Sequence, residues 1–233
     1  MFTSGTLIAQ KYLSPRIKKP LKLLESRFGY KPSFVILSTG RAGSTFTAEL
    51  LRQAGVRCSH ETFFSPNGFH RSWRYNGDSS WLAVPYLESN PDLTEKVIHQ
   101  IRNPLDVISS LYGIGFFDVD NSNVFARFSR DHFSLSGDEL IDCMRWWTQW
   151  NLRCEALASC SYLFENLLSD CSFIFSELGK NLDYDKANKY LKKIKRKKIN
   201  SRLRREIVLS DLPSGEDKQK MINTARRYGY SLN

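Results

Sequence analysis

Between Ile36 and Phe46 the chain reads Ile-Leu-Ser-Thr-Gly-Arg-Ala-Gly-Ser-Thr-Phe. An apolar run gives way to two glycines, an arginine and two hydroxyl residues. Successive backbone N–H groups in such a turn form a concavity for phosphate-type oxygens, and the dipole of a helix that starts there adds to it. The glycines let the backbone approach a ligand closely. Arg41 supplies a fixed fork of donors, and Ser44 and Thr45 supply hydroxyls. Gly40, Arg41, Ala42, Gly43, Ser44, Thr45 and Phe46 are therefore candidate binding residues for an anionic group. The usual nucleotide-hydrolysing loop needs four residues between its glycines and then Lys-Ser/Thr. Here only Arg41 and Ala42 separate Gly40 from Gly43, and no lysine follows.

A second constellation is Ile101-Arg102-Asn103-Pro104, followed by Ser109-Ser110. Arg102 closes an apolar run, and ligands of open α/β sheets bind at the C-terminal ends of strands. Ser110 is six residues beyond Pro104, on the helix that starts there. Arg102 and Ser110 fit a clamp on a second phosphate; Arg102 by itself fits equally well as a packing residue at the helix start.

These residues need strands that end, and helices that begin, at the right places. Phe34-Val35-Ile36-Leu37 reads as a buried strand, and from Ser44 a helix with Phe46, Leu50 and Leu51 on one face runs to a stop at Gly55. Val56-Arg57-Cys58 reads as a short strand and Val97 to Ile101 as the next one. Asn103 is a good N-cap, and Pro104 suits the first helical position of a helix that ends at Gly113. A long helix is expected over about 138–158, a strand over 161–164, and helices over about 167–179 and 215–228. The stretches 62–91 and 114–137 read as irregular inserts. Strands alternating with helices imply an α/β, P-loop-like three-layer fold, with a parallel central sheet of four to five strands flanked by helices.

The 233 residues are 41% apolar, which suits a globular domain with a substantial core. Residues 1–32 form a basic N-terminal segment, with Ile17, Leu21, Leu24 and Phe28 at helical spacing; residues 33–233 form the domain. A net charge of +10 favours anionic partners: nucleotides, nucleic acid, a membrane surface or anionic glycans. Five cysteines, an odd number with no CxxC pair, argue against a disulfide framework or zinc site and for buried thiols in a reducing compartment. Neither a signal-peptide core nor a run of about 18 apolar residues is present, so a cytoplasmic location is expected.

The two anion sites together resemble those of sulfotransferases that use 3′-phosphoadenosine 5′-phosphosulfate (PAPS). Ile36 to Phe46 resembles that family's 5′-phosphosulfate loop, in the Arg-Ser-Gly-Ser/Thr-Ser/Thr form of carbohydrate and tyrosylprotein sulfotransferases, with Ala42 in place of the usual Ser. Arg102-Asn103-Pro104 with Ser110 resembles the family's 3′-phosphate motif. Weaker echoes are Trp146 to Asn151, Tyr162 to Leu167, Asp211-Leu212-Pro213 and the close on Tyr228-Gly229-Tyr230. The resemblance covers about residues 33–230, with its strong motifs at two places.

The resemblance implies transfer of a sulfuryl group from PAPS to a hydroxyl of a carbohydrate, lipid headgroup or tyrosine, by in-line displacement. Arg41 would hold the phosphosulfate and stabilise the leaving oxygen; Arg102 and Ser110 would hold the 3′-phosphate; no metal is required. Cys58-Ser59-His60-Glu61-Thr62 resembles the Cys-Gly-Glu-Glu-Thr segment of tyrosylprotein sulfotransferases, whose second Glu is the base, which points to Glu61. His60 is the competitor, since imidazole suits proton transfer near neutral pH. Arg202 is a candidate for the 3′-phosphate side. The basic run 186–205 is otherwise a solvated face or a contact for an anionic acceptor or membrane surface; nucleic acid is not expected. Phe63, Phe64, Trp73, Tyr75 and Trp81 either line an acceptor groove or pack within a lid. Trp146, Trp150 and His99 read as structural. Two alternatives stand: a degenerate P-loop nucleotide kinase or NTPase, and a non-catalytic polyanion-binding module on the same fold.

Overall fold

Four consecutive apolar residues, Phe34–Leu37 (β1), are fully buried, and alternate side chains leave the strand on opposite faces. Val35 and Leu37 join one core cluster, Phe34 and Ile36 another. A strand buried on both faces lies inside a layered fold. The computed structural model describes residues 24–25, 27–167, 169, 171–178, 183, 185–187, 189–190 and 206–232. Arg202 and most of the basic run 186–205 lie outside the described residues, as do residues 1–23 of the N-terminal segment.

The other strands of the central sheet are Cys58–His60 (β2), Gly77–Ser79 (β5), Lys96–Ile101 (β6) and Cys160–Leu163 (β7). They stand in the order β2-β5-β1-β6-β7, and every pairing is parallel. The fold is thus α/β with a five-stranded parallel sheet. One face is covered by Ser44–Gln53 (α1), whose Ala48, Leu50 and Leu51 pack with Phe34, Ile36 and Ile98. Pro104–Tyr112 (α3), Glu139–Leu157 (α5) and Glu216–Arg227 (α7) supply Val107, Ile108, Trp146, Trp150, Met221 and Ala225 to the cluster on the opposite face. Asn103 and Asp138 cap α3 and α5 by accepting from Leu105 N and Ile141 N. Among the described residues no helix is long and apolar enough to cross a membrane.

Both inserts hold regular structure that the apolar pattern does not signal. Within 62–91 lie a hairpin of Phe64–Ser65 (β3) and Gly68–Phe69 (β4), the sheet strand β5, and the helix Val84–Ser89 (α2). The strand β5 reads Gly-Asp-Ser, so its burial rests on hydrogen bonds rather than on apolar side chains. Gly77 is required there, because a Cβ would meet the Phe34 ring at 2.0 Å. Within 114–137 lies Val124–His132 (α4), capped by Asn123. The helix expected from 167 begins later, as Cys171–Glu177 (α6).

Candidate functional site

The turn between β1 and α1 lies at the C-terminal edge of the sheet. Arg41 (φ 70°) and Gly43 (φ 96°) both take left-handed backbone, which turns successive N–H groups toward one side. A Cβ on Gly43 would meet the Phe164 ring at 2.5 Å, so only glycine fits. Gly43 is also the N-cap of α1, and no side chain caps this helix. Its first donors therefore face a cleft of about 580 Å³ lined by Gly40, Arg41, Gly43, Ser44, Thr45 and Phe46.

Gln100, on β6, braces the turn from beneath. Its amide Nε2 donates to Ala42 O at 2.8 Å, and its Oε1 accepts from Tyr162 Oη at 2.6 Å and from the Thr47 hydroxyl. This three-way contact fixes which end of the amide is which. Ala42 does not line the cleft. It is 0% exposed and packs in the core, and its N–H is directed at Thr39 O.

The second constellation joins the same cleft. Arg41 Nε donates to Ser110 Oγ at 2.9 Å, and Arg102 Nη1 donates to Arg41 O at 3.1 Å. Arg102 also pairs with Asp106 at 3.2 Å and lies 5.3 Å from the Phe164 ring centre. Its backbone is set by two long-range bonds: Trp147 Nε1 donates to Arg102 O, and Asn103 N donates to Glu165. Glu165 in turn accepts from Tyr230 Oη at 2.7 Å, so the C-terminal segment is tied to the end of β6. On the adjoining turn of α3, Ser109 Oγ accepts from Ile207 N.

Glu61 and His60 form the third wall. His60 Nε2 lies 3.0 Å from Ser44 Oγ, 3.2 Å from Thr45 Oγ1 and 3.3 Å from Glu61 Oε1. The last distance is that of an ion pair, but burial works against both charges. It pushes the imidazole down to about 4, with Arg52 adding to the effect. It pushes the Glu61 carboxyl up to about 7, aided by the neighbouring Asp78 and opposed by a bond from Trp81. A neutral imidazole beside a carboxyl that titrates near neutrality is the result. His60 Nε2 is engaged by the loop hydroxyls and Glu61.

Ten of the twelve candidate residues line this one cleft: Gly40, Arg41, Gly43, Ser44, Thr45, Phe46, His60, Glu61, Arg102 and Ser110. Ala42 faces inward, and Arg202 lies outside the described residues. Of the aromatic groove candidates, Trp81 alone lines the cleft. Phe63 and Phe64 are fully buried core residues, and Trp73 is tied to Phe28 O. The remaining wall, from Ile114, Phe116, Asn121, Asn123 and Phe125, comes from the insert that reads as irregular. His99 is buried against Asn151, and Trp146 and Trp150 stack in the core, as their positions predict.

No family model matches the chain. No curated protein matches it either. Among solved structures, mouse sulfotransferase SULT7A1 complexed with PAP is similar to it over 91% of this chain and 83% of that chain, with a TM-score of 0.42 and 13% sequence identity.

Proposed function

We propose that the chain is a sulfotransferase that moves a sulfuryl group from PAPS to an acceptor hydroxyl. One observation carries the reading: Arg41 and Ser110 are in contact at 2.9 Å, and Arg102 holds the Arg41 carbonyl at 3.1 Å. The arginines of two anion-binding sequences thus meet in one cleft, beside a carboxyl poised near neutrality. Two phosphate sites in one cleft suit a donor that carries a 3′-phosphate and a 5′-phosphosulfate. Arg102 Nε, buried and without a hydrogen-bond partner among the described residues, is a donor suited to the former.

In this reading the uncapped N–H groups of Ser44, Thr45 and Phe46 bind the 5′ end. Glu61 takes the acceptor proton as the acceptor oxygen bonds to sulfur. The bond from sulfur to the 5′-phosphate oxygen breaks, and Arg41 and the loop N–H groups stabilise the charge left on that oxygen. The acceptor side is a neutral aromatic wall of Trp81, Phe116 and Phe125, which suits a ring-bearing alcohol, sugar or aryl. The loop sequence and the Cys58 to Thr62 segment favour the carbohydrate or tyrosylprotein type.

Incubation with PAPS labelled in sulfur and a panel of neutral sugars, phenols and tyrosine peptides tests this. Label should pass to at least one acceptor in the wild type and to none in Arg41→Ala. Undiminished transfer by Arg41→Ala would remove the reading.

A further inference from the structure

Asp78 sits at the middle of β5, between β2 and β1, and is 0% exposed. A carboxylate buried in a sheet persists only where its oxygens are hydrogen-bonded. Here Oδ1 accepts from Ser59 Oγ at 2.7 Å and from Thr62 N at 3.3 Å, while Oδ2 accepts from Phe63 N at 3.1 Å. Ser59 is its direct neighbour in the β2–β5 register. Both backbone donors belong to the turn just after Glu61.

That turn is strained. Glu61 has φ 52°, a left-handed conformation that disfavours a non-glycine residue by about 1–2 kcal/mol. Without an anchor the segment would relax and take the Glu61 carboxyl with it. The anchor on the page is Asp78, which binds the next two N–H groups and Ser59 before it.

We propose that Asp78 is a positioning residue for Glu61: its buried carboxylate holds the turn that presents Glu61 to the cleft and keeps a like charge behind it. The inference rests on the reading of Glu61 as the base. The groups that act on or touch Glu61 are His60 on the end of β2, Trp81 beyond β5 and Asp78 itself, and Arg41 lines the same cleft. Arg52 on α1 acts on His60. Asp78 supplies a negative charge to this set, and that charge disfavours a second anion at Glu61.

A ¹³C NMR titration of side-chain carboxyls in the full chain tests the link without any acceptor, with the Glu61 signal assigned by its loss in Glu61→Gln. In the wild type Glu61 should titrate near 7. In Asp78→Asn the midpoint should move to lower pH, while the thermal shift with adenosine 3′,5′-bisphosphate stays. A role in folding that reaches Glu61 through neither the turn nor the charge would weaken folding but leave the midpoint in place. An unchanged midpoint in Asp78→Asn overturns the proposal; where that variant does not fold, an unchanged midpoint in Asp78→Ser, which keeps an acceptor beside Ser59, overturns it in its place. Sulfuryl transfer that survives Glu61→Gln would instead sink the base assignment and leave the titration link standing.

Discussion

Gly43→Ala places a methyl group where neither the backbone nor the neighbouring ring accommodates one. The left-handed φ of 96° disfavours any L-residue by about 1–2 kcal/mol. The new Cβ would also lie 2.5 Å from Phe164 Cε2, well inside contact distance. Phe164 cannot swing away freely, because its ring packs edge-on against Phe46 and lies under Arg102. Overpacking of this kind adds about 1–3 kcal/mol, for a total of about 2–5 kcal/mol. Gly55→Ala is the control: it has a similar φ of 90° but nothing within 4 Å, so it should lose only the backbone part. Urea denaturation of both variants reads the difference directly. Gly43→Ala should also lose the thermal shift with adenosine 3′,5′-bisphosphate, whereas Gly55→Ala should keep it. Equal destabilisation of the two variants, or retained ligand binding in Gly43→Ala, would refute the account of a loop that only glycine can close.

The other predictions concern the supports of the cleft. Gln100→Leu removes the partner of Ala42 O, Thr47 and Tyr162 together and should destabilise the fold by about 2–4 kcal/mol, read by urea denaturation. Glu61 must be ionised to accept a proton, so sulfuryl transfer should rise with pH through about 7. The stability effect has the opposite sign. Because burial raises the Glu61 carboxyl from 4.5 to about 7, its contribution is present below pH 4.5 and is lost as pH rises to about 7. Glu61→Gln should therefore be more stable than the wild type at pH 8, by up to about 3 kcal/mol, while losing transfer.

The two ends of the cleft differ in how far sequence alone reveals them. The segment from Phe34 to Leu51 carries every signal in one place: an apolar strand, glycines at the turn and a helical apolar face. The same holds from Val97 to Leu111, where Asn103 and Pro104 mark the helix start. The strand Gly77–Ser79 carries no such signal, because its burial depends on long-range bonds from Asp78 and on a missing side chain at Gly77. The aromatic wall is hidden for a related reason. Phe116 and Phe125 sit in a polar insert, and their place in the cleft depends on a helix, Val124–His132, that buries only Ala126, Phe128 and Ser129. Gln100 reads as one polar residue in a strand; its role appears only when β6 and β7 bring it together with Tyr162, Thr47 and Ala42.

The most direct test of the central claim is calorimetric titration of the protein with adenosine 3′,5′-bisphosphate in the absence of magnesium. The account predicts a single site that needs no metal. Arg41→Ala and Arg102→Ala should each weaken it about 10- to 100-fold, the equivalent of one charge-assisted contact of roughly 1.5–3 kcal/mol. No binding of the bisphosphate at millimolar concentration, or unaltered affinity in both variants, would contradict the account of two arginines holding two phosphates in one cleft.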